Sequence, residues 1–215
     1  MKKLVYGLNY HPENILSDPE LRGVVKPASC QRDDVMHIVF SNGTLNFEMH
    51  LFLQSLKKVG IGWGELRDFI AEHGFVSRSL TTNGFQNIFS LQKETNWKDT
   101  FKAGATEMLA MYPIVRHWIE TKLKDRQSLT KNFASIFCLM EQCDILDSIR
   151  YKMTSEQLQR SVTQLKNAIS THLRIFVNTY GARMVKPKHH EMMHIPDQLL
   201  VDGICMSCWV TEREK

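Results

Sequence analysis

The sequence predicts a mainly α-helical protein. Three observations carry that expectation. Apolar residues recur at three- and four-residue spacing in five stretches between residues 44 and 180, capping and stop residues mark the ends of those stretches, and strand-like runs are confined to the ends of the chain.

Residues 1–33 are rich in Pro, Asp and Gly, with short apolar pieces such as Leu21 to Val25, and read as irregular structure with at most one strand. The run Val35-Met36-His37-Ile38-Val39-Phe40 is apolar and partly β-branched and stops at Ser41-Asn42-Gly43. It reads equally as a strand end or as the first turns of a helix, because periodicity does not separate the two in so short a run. Leu45, Met49, Phe52, Leu53 and Leu56 then share one face of a helix starting near Thr44. Trp63 to His73 reads as a second helix, with Gly74 as its stop. Residues 76–96, rich in Ser, Thr, Asn and Gln, read as a loop with short turns.

Asn96 is the expected N-cap of a helix running through Trp97, Phe101 and Met108. Pro113 is expected to kink or divide it ahead of Val115, Trp118 and Ile119. Phe133, Ile136, Phe137, Met140, Ile145 and Ile149 mark the next helix. Thr154 with Gln157 is a capping box for the last one, which carries Leu158, Val162, Leu165, Ile169, Leu173 and Phe176 and ends at Gly181. The expected division is 1–43, an irregular segment and strand; 44–180, an all-helical domain; and 181–215, a His-rich terminal segment. The Trp, Met and Phe stripes of the helical part are core by their spacing.

Composition sets bounds on function. With 43% hydrophobic and 23% charged residues the chain is an ordinary globular one. No apolar run reaches the roughly 18 residues of a membrane span, and the opening Met1-Lys2-Lys3-Leu4-Val5-Tyr6-Gly7 turns polar too soon for a signal peptide, so an intracellular protein with no membrane partner is expected. A net charge of +4 permits a polyanion partner such as DNA without demanding one. The five cysteines, Cys30, Cys138, Cys143, Cys205 and Cys208, are odd in number and read as buried thiols or metal ligands rather than as disulfides. A Gly-rich phosphate loop, a Gly-x-Ser-x-Gly elbow and a His-Glu-x-x-His motif are all missing.

Two strings carry candidate chemistry. The first is Asp34-Val35-Met36-His37, where an acid follows an irregular segment and precedes an apolar run. Metal-dependent phosphoryl transfer needs carboxylates that converge from distant parts of a fold on two divalent cations. The alternative is that Asp34 is a cap or surface acid. The second string is Lys186-Pro187-Lys188-His189-His190-Glu191-Met192-Met193-His194. His190 and His194, or His189 and His194, fall on one helix face and suit Zn2+. Cys205-x-x-Cys208 lies just downstream with a zinc-site gap, and Cys138 and Cys143 offer thiols from the helical part. The alternative is that His189 is exposed and the cysteines are small buried hydrophobes.

The ordered set of strings resembles a known family. Gly7-Leu8-Asn9-Tyr10, Leu21-Arg22-Gly23-Val24-Val25-Lys26-Pro27 and Asp34-Val35-Met36-His37 resemble the region around the second catalytic Asp of CACTA-like DDE transposases and related transposon-derived genes. Pro187 to Pro196 resembles the block before the final catalytic Glu of those proteins, and Glu212-Arg213 falls where the family has Glu-Arg-Lys-His. The resemblance implies a ribonuclease-H-like α/β fold interrupted by a helical insertion, so that residues 44–180 are the insertion and remnants of the α/β fold lie at both ends. It implies Asp34 and Glu212 as the second and third catalytic acids, holding Mg2+ or Mn2+. It also implies a structural Zn2+ held by His190 and His194, with Cys143 as the better match for a surviving thiolate.

Three departures bear on activity. Residues 1–33 contain no match for the first catalytic Asp, Cys138 and Cys143 do not form a Cys-x-x-Cys, and the tail Glu212-Arg213-Glu214-Lys215 lacks the usual His. The expectation is therefore a transposase-derived protein, ancestrally cleaving and joining DNA strands, inactive as this fragment, and nuclear if the ancestral role is retained. A non-catalytic helical module binding DNA or protein, and a translated relic, are the rival readings.

Overall fold

The polypeptide was described from a computed structural model, which covers residues 33–76, 82–89, 101–149 and 153–203. The described residues are helical, with no strand among them. Among the described residues eight α-helices follow one another: α1 Thr44–Lys58, α2 Trp63–His73, α3 Thr82–Ile88, α4 Ala105–Trp118, α5 Thr130–Ile149, α6 Ser155–Tyr180, α7 Pro187–Glu191 and α8 Ile195–Asp202. All of them lie in one contact unit that begins at Asp33. None is long and apolar enough to cross a membrane.

Helix α1 buries Leu45, Met49, Phe52, Leu53 and Leu56, the five positions that its period places on one face. Each such side chain contributes about 1.5–3 kcal/mol of burial free energy. Gly43 opens α1 where nothing larger fits, since a Cβ there would lie 2.3 Å from the Val39 carbonyl carbon. Asn46 closes the first turn by accepting the Gly43 N–H at 3.2 Å. Helix α2 ends at Gly74, whose φ of 61° is a left-handed value that only glycine adopts without strain.

The run Val35–Phe40, left open between strand and helix, is helical: Met36–Phe40 is a π-helical turn with four of its five side chains buried. Two other local expectations are corrected. The segment expected to be loop contains α3. The helix expected to run from Asn96 through Phe101 and Met108 is not continuous, since residues 101–104 are non-helical and a helix begins at Ala105; the expected start at Asn96 and Trp97 lies outside the described residues. The cause of the late start is tertiary. Asn46 donates to the carbonyls of Phe101 and Ala103 at 3.1 and 3.0 Å, and its own carbonyl accepts the Phe101 N–H at 3.2 Å. Phe101, fully buried against Trp63 and Phe89, is thereby held out of helical pairing until Gly104, whose N–H Glu107 accepts at 2.7 Å.

Pro113 does not divide α4, which runs unbroken from Ala105 to Trp118. The ring sits on the exposed side of the helix, so water can satisfy the carbonyl that lost its N–H partner. The disturbance comes later, where Ile119–Leu123 widens into a π-helical turn.

Helices α5 and α6 form an antiparallel pair along their lengths, with Gln142 Nε2 on the Ala168 carbonyl at 3.3 Å and Thr179 Oγ1 on that of Lys131 at 3.3 Å. Thr154 and Gln157 cap α6 reciprocally, at 3.2 and 2.9 Å. Val162, Leu165, Ile169, His172 and Phe176 line its buried face. Gly181, with φ 90°, ends it. The chain then turns back through Ala182–Met184, α7, Met192–His194 and α8, burying Met192, Ile195 and Leu199 in the same core.

Candidate functional site

The two strings, about 150 residues apart in sequence, meet in space. Asp34 stands at the N-terminal end of the Met36–Phe40 turn. Its Oδ1 accepts the Met36 N–H at 3.0 Å, its Oδ2 lies 2.5 Å from His37 Nδ1, and its carbonyl accepts the Ile38 N–H at 2.9 Å. This arrangement follows from the local sequence: an Asp two and three residues before a free N–H and a His is an Asx turn. The carboxylate therefore does a cap's work at the start of the turn.

The C-terminal segment closes on that turn from two sides. Lys188, on α7, points its ammonium at the turn's C-terminal carbonyls: His37 at 2.6 Å, Asn42 at 3.0 Å and Ser41 at 3.3 Å. Carbonyls at a helical C-terminus carry partial negative charge, which favours a cation there. Burial nevertheless pushes the Lys188 pKa down, against the opposing pull of Glu191 and Asp34. Gln198, on α8, exchanges two hydrogen bonds with the Asp33 backbone, accepting its N–H at 2.7 Å and donating to its carbonyl at 3.0 Å.

His190 and His194 lie on one exposed face, with Nε2 atoms 3.2 Å apart and rings at 88°. Two nitrogens bound to one tetrahedral Zn2+ at about 2.0–2.1 Å would stand roughly 3.3 Å apart, so the pair matches an edge of such a site. Neither Cys138 nor Cys143 joins them in a group that could hold a metal. Cys143 is a buried member of the apolar core on α5, its thiol pushed up by burial and by Asp144. Cys138, also on α5, is half-buried, with burial likewise raising its pKa. Cys205, Cys208 and Glu212 lie outside the described residues, as does Cys30. Among the described residues no group of three or more His, Cys, Asp or Glu side chains is arranged to hold a metal. Of the residues expected to hold a metal, Asp34, Cys143, His190 and His194 are described, and the two imidazoles lie close together.

His189 is not exposed, contrary to one of the two readings of its string; it is the anchor of the segment. It packs on Phe176 at 4.6 Å between ring centroids and edge-on to Phe47 at 6.1 Å. The Lys186 N–H donates to its Nδ1 at 3.0 Å, which assigns the ring proton to Nε2. Burial, followed by the neighbouring His172, pushes its pKa down to about 4, so the ring is neutral near pH 7.

Beneath it, Glu48 of α1 and His172 of α6 form a buried pair, Oε2 to Nε2 at 2.6 Å. Glu48 Oε1, His172 Nδ1 and His189 Nε2 are buried atoms without a hydrogen-bond partner among the described residues. Sequence reasoning passed over Glu48 and His172. The signal was present: each is a polar residue beside or within an apolar helical stripe, a position that demands a partner in the core.

Comparison with protein-family models, with curated proteins and with solved structures returns no match.

Proposed function

We propose that the chain is a transposase-derived protein, descended from the catalytic domain of a CACTA-like DDE enzyme, and inactive by itself. The observation that supports this reading is the meeting of its two strings. The Asp34 turn and the His190/His194 segment share no local sequence, yet Lys188 bridges them over 151 residues. A divalent-metal enzyme of that class needs such convergence of a carboxylate with a distant terminal segment.

In this proposal Asp34 and Glu212 are the remaining acids, which would hold Mg2+ or Mn2+ to stabilise charge on the reacting phosphate oxygens. His190 and His194 are two ligands of a structural Zn2+ that braces the terminal segment, completed by Cys143 or by Cys205 and Cys208. The chain's own contribution is placement: α1 and α6 seat His189, and His189 with Lys188 seats the His pair against the Asp34 turn. Two divalent ions held close together need several carboxylates to offset their repulsion, and with no match for the first acid the chain falls short of that set.

The test has two parts. Purified protein with Mg2+ or Mn2+ should neither nick nor join DNA, and metal-dependent nicking lost in both Asp34→Ala and Glu212→Ala would overturn the inactivity. An open frame ahead of the Met1 codon that encodes strands and a further Asp would make the chain the back part of a longer enzyme. A closed frame there would favour the rival reading of a helical module that binds DNA or protein without catalysis.

A further inference from the structure

We propose that the outer face of α6 is an interaction surface that seats against duplex DNA, with Arg160 and Arg174 on backbone phosphates. The inference goes beyond the proposed ancestry: it stands on the charge of α6 and holds equally for a chain without catalytic descent. The charge of the chain is unevenly spread. Between Glu156 and Glu191 there is no Asp or Glu, while six basic side chains fall there: Arg160, Lys166, Arg174, Arg183, Lys186 and Lys188. Their charge exceeds the net +4 of the whole chain, so the remainder of the protein is slightly acidic.

Helix geometry orders the exposed part of that stretch. Val162, Leu165, Ile169, His172 and Phe176 take the buried face of α6. At about 3.6 residues per turn, positions seven apart fall nearly on one line. Arg160, Asn167 and Arg174 are such positions, Asn178 follows one turn later, and all four are exposed. A rise of about 1.5 Å per residue sets the two arginines roughly 21 Å apart along the axis. Ser170, also exposed, flanks the line. Glu156 stands one turn before Arg160, in the first turn of the helix, where a carboxylate meets the positive end of the helix dipole. Neither arginine forms an ion pair with a described residue, whereas Lys166, set aside from the line, lies 3.6 Å from Asp197 of α8.

The spacing selects the partner. Two guanidinium groups that far apart cannot converge on one phosphate, so a single phosphorylated side chain or lipid headgroup does not fit the row. A rod with regularly spaced phosphates does. Phosphate and sugar oxygens are contacted by Arg and Lys together with Ser and Asn, which is the composition of this stripe. A membrane surface asks instead for a broad apolar face opposite the charges. On α6 that face is spent on the core, and Val177, at 36%, is the large apolar side chain left exposed among the described residues of the helix. An exposed helix also suits B-DNA better than A-form RNA. The major groove of B-DNA, about 12 Å wide, admits a helix, and that of RNA is too deep and narrow for side chains to read.

The experiment titrates the full chain into a short labelled DNA duplex and follows fluorescence anisotropy at several salt concentrations, with circular dichroism as a check on folding. Wild type should bind, and its affinity should fall as salt rises, because each phosphate contact releases counterions. The double variant Arg160→Gln, Arg174→Gln should bind about tenfold or more weakly at low salt, and its slope of log affinity against log salt should be smaller by about two. The control Lys124→Gln, Arg126→Gln removes the same charge from the exposed turn after α4 and should stay within about threefold of wild type. Should the double variant fail to fold, each single change carries the test, with a slope smaller by about one. Equal losses in the double variant and the control would mean that net charge alone acts, and overturn the inference. Tighter binding to an RNA duplex of the same length, or binding to phosphatidylserine vesicles in place of DNA, overturns DNA as the partner. Failure of the wild type to bind DNA overturns the inference outright and leaves the proposed ancestry to its own test.

Discussion

Glu48 Oε2 lies 2.6 Å from His172 Nε2 across 124 residues, and neither side chain is exposed. The bond joins α1 to α6 beneath the ring of His189. Removing one partner of a buried pair strands the other, which typically costs about 3–5 kcal/mol, whereas replacing both by apolar residues is often neutral. Glu48→Ala and His172→Ala should each lower the urea midpoint sharply with little change in slope. The double variant Glu48→Leu, His172→Leu should recover most of that loss. A double variant as unstable as the sum of the singles would show that the pair holds the fold by more than its own bond.

Stability should fall at alkaline pH through Tyr180 and Tyr112. Burial raises both phenol pKa values above the ordinary 10, helped at Tyr180 by Glu48 and at Tyr112 by Cys143 and Asp144. Above pH 10 the unfolded chain has released these protons while the folded one keeps them. Since stability rises with pH only where the unfolded state binds more protons, it must here decline. The stability is fully present below pH 10 and is lost as pH rises toward the folded values. Tyrosinate absorbance should grow together with loss of helical circular dichroism, and Tyr180→Phe should soften the decline. Titration of both phenols in a chain that stays folded would refute this.

The cap of α6 should be worth about 1 kcal/mol. Thr154 Oγ1 accepts the Gln157 N–H and Gln157 returns a bond to the Thr154 N–H. Thr154→Ala should lower stability by roughly that amount and Thr154→Ser by much less. Equal losses in the two variants would mean that the methyl group, not the hydroxyl, carries the effect.

Zinc should stabilise the protein through His190 and His194. A ligand at a hundredfold excess over its dissociation constant adds about 2.7 kcal/mol if it binds only the folded state. Added Zn2+ should raise the unfolding temperature, a chelator should reverse the rise, and His190→Ala or His194→Ala should abolish it. A rise that survives both substitutions would place the metal elsewhere.

Local chemistry made much of this protein legible from sequence. The period of Leu45, Met49, Phe52, Leu53 and Leu56, the stops at Gly74 and Gly181 and the Thr154–Gln157 box each depend on neighbours within a turn or two, and each appears where the pattern put it. His190 and His194 belong with these, since a spacing of four sets their rings on one helix face. Tertiary structure decided the rest. Asn46 delays α4 to Ala105 by holding Phe101 from 55 positions away. His189 is buried because Phe47 and Phe176 wait for it. Glu48 finds His172, and Lys188 finds the turn that follows Asp34. A side chain's partner across 50 to 165 residues is fixed by how helices pack, and no spacing along the chain encodes that.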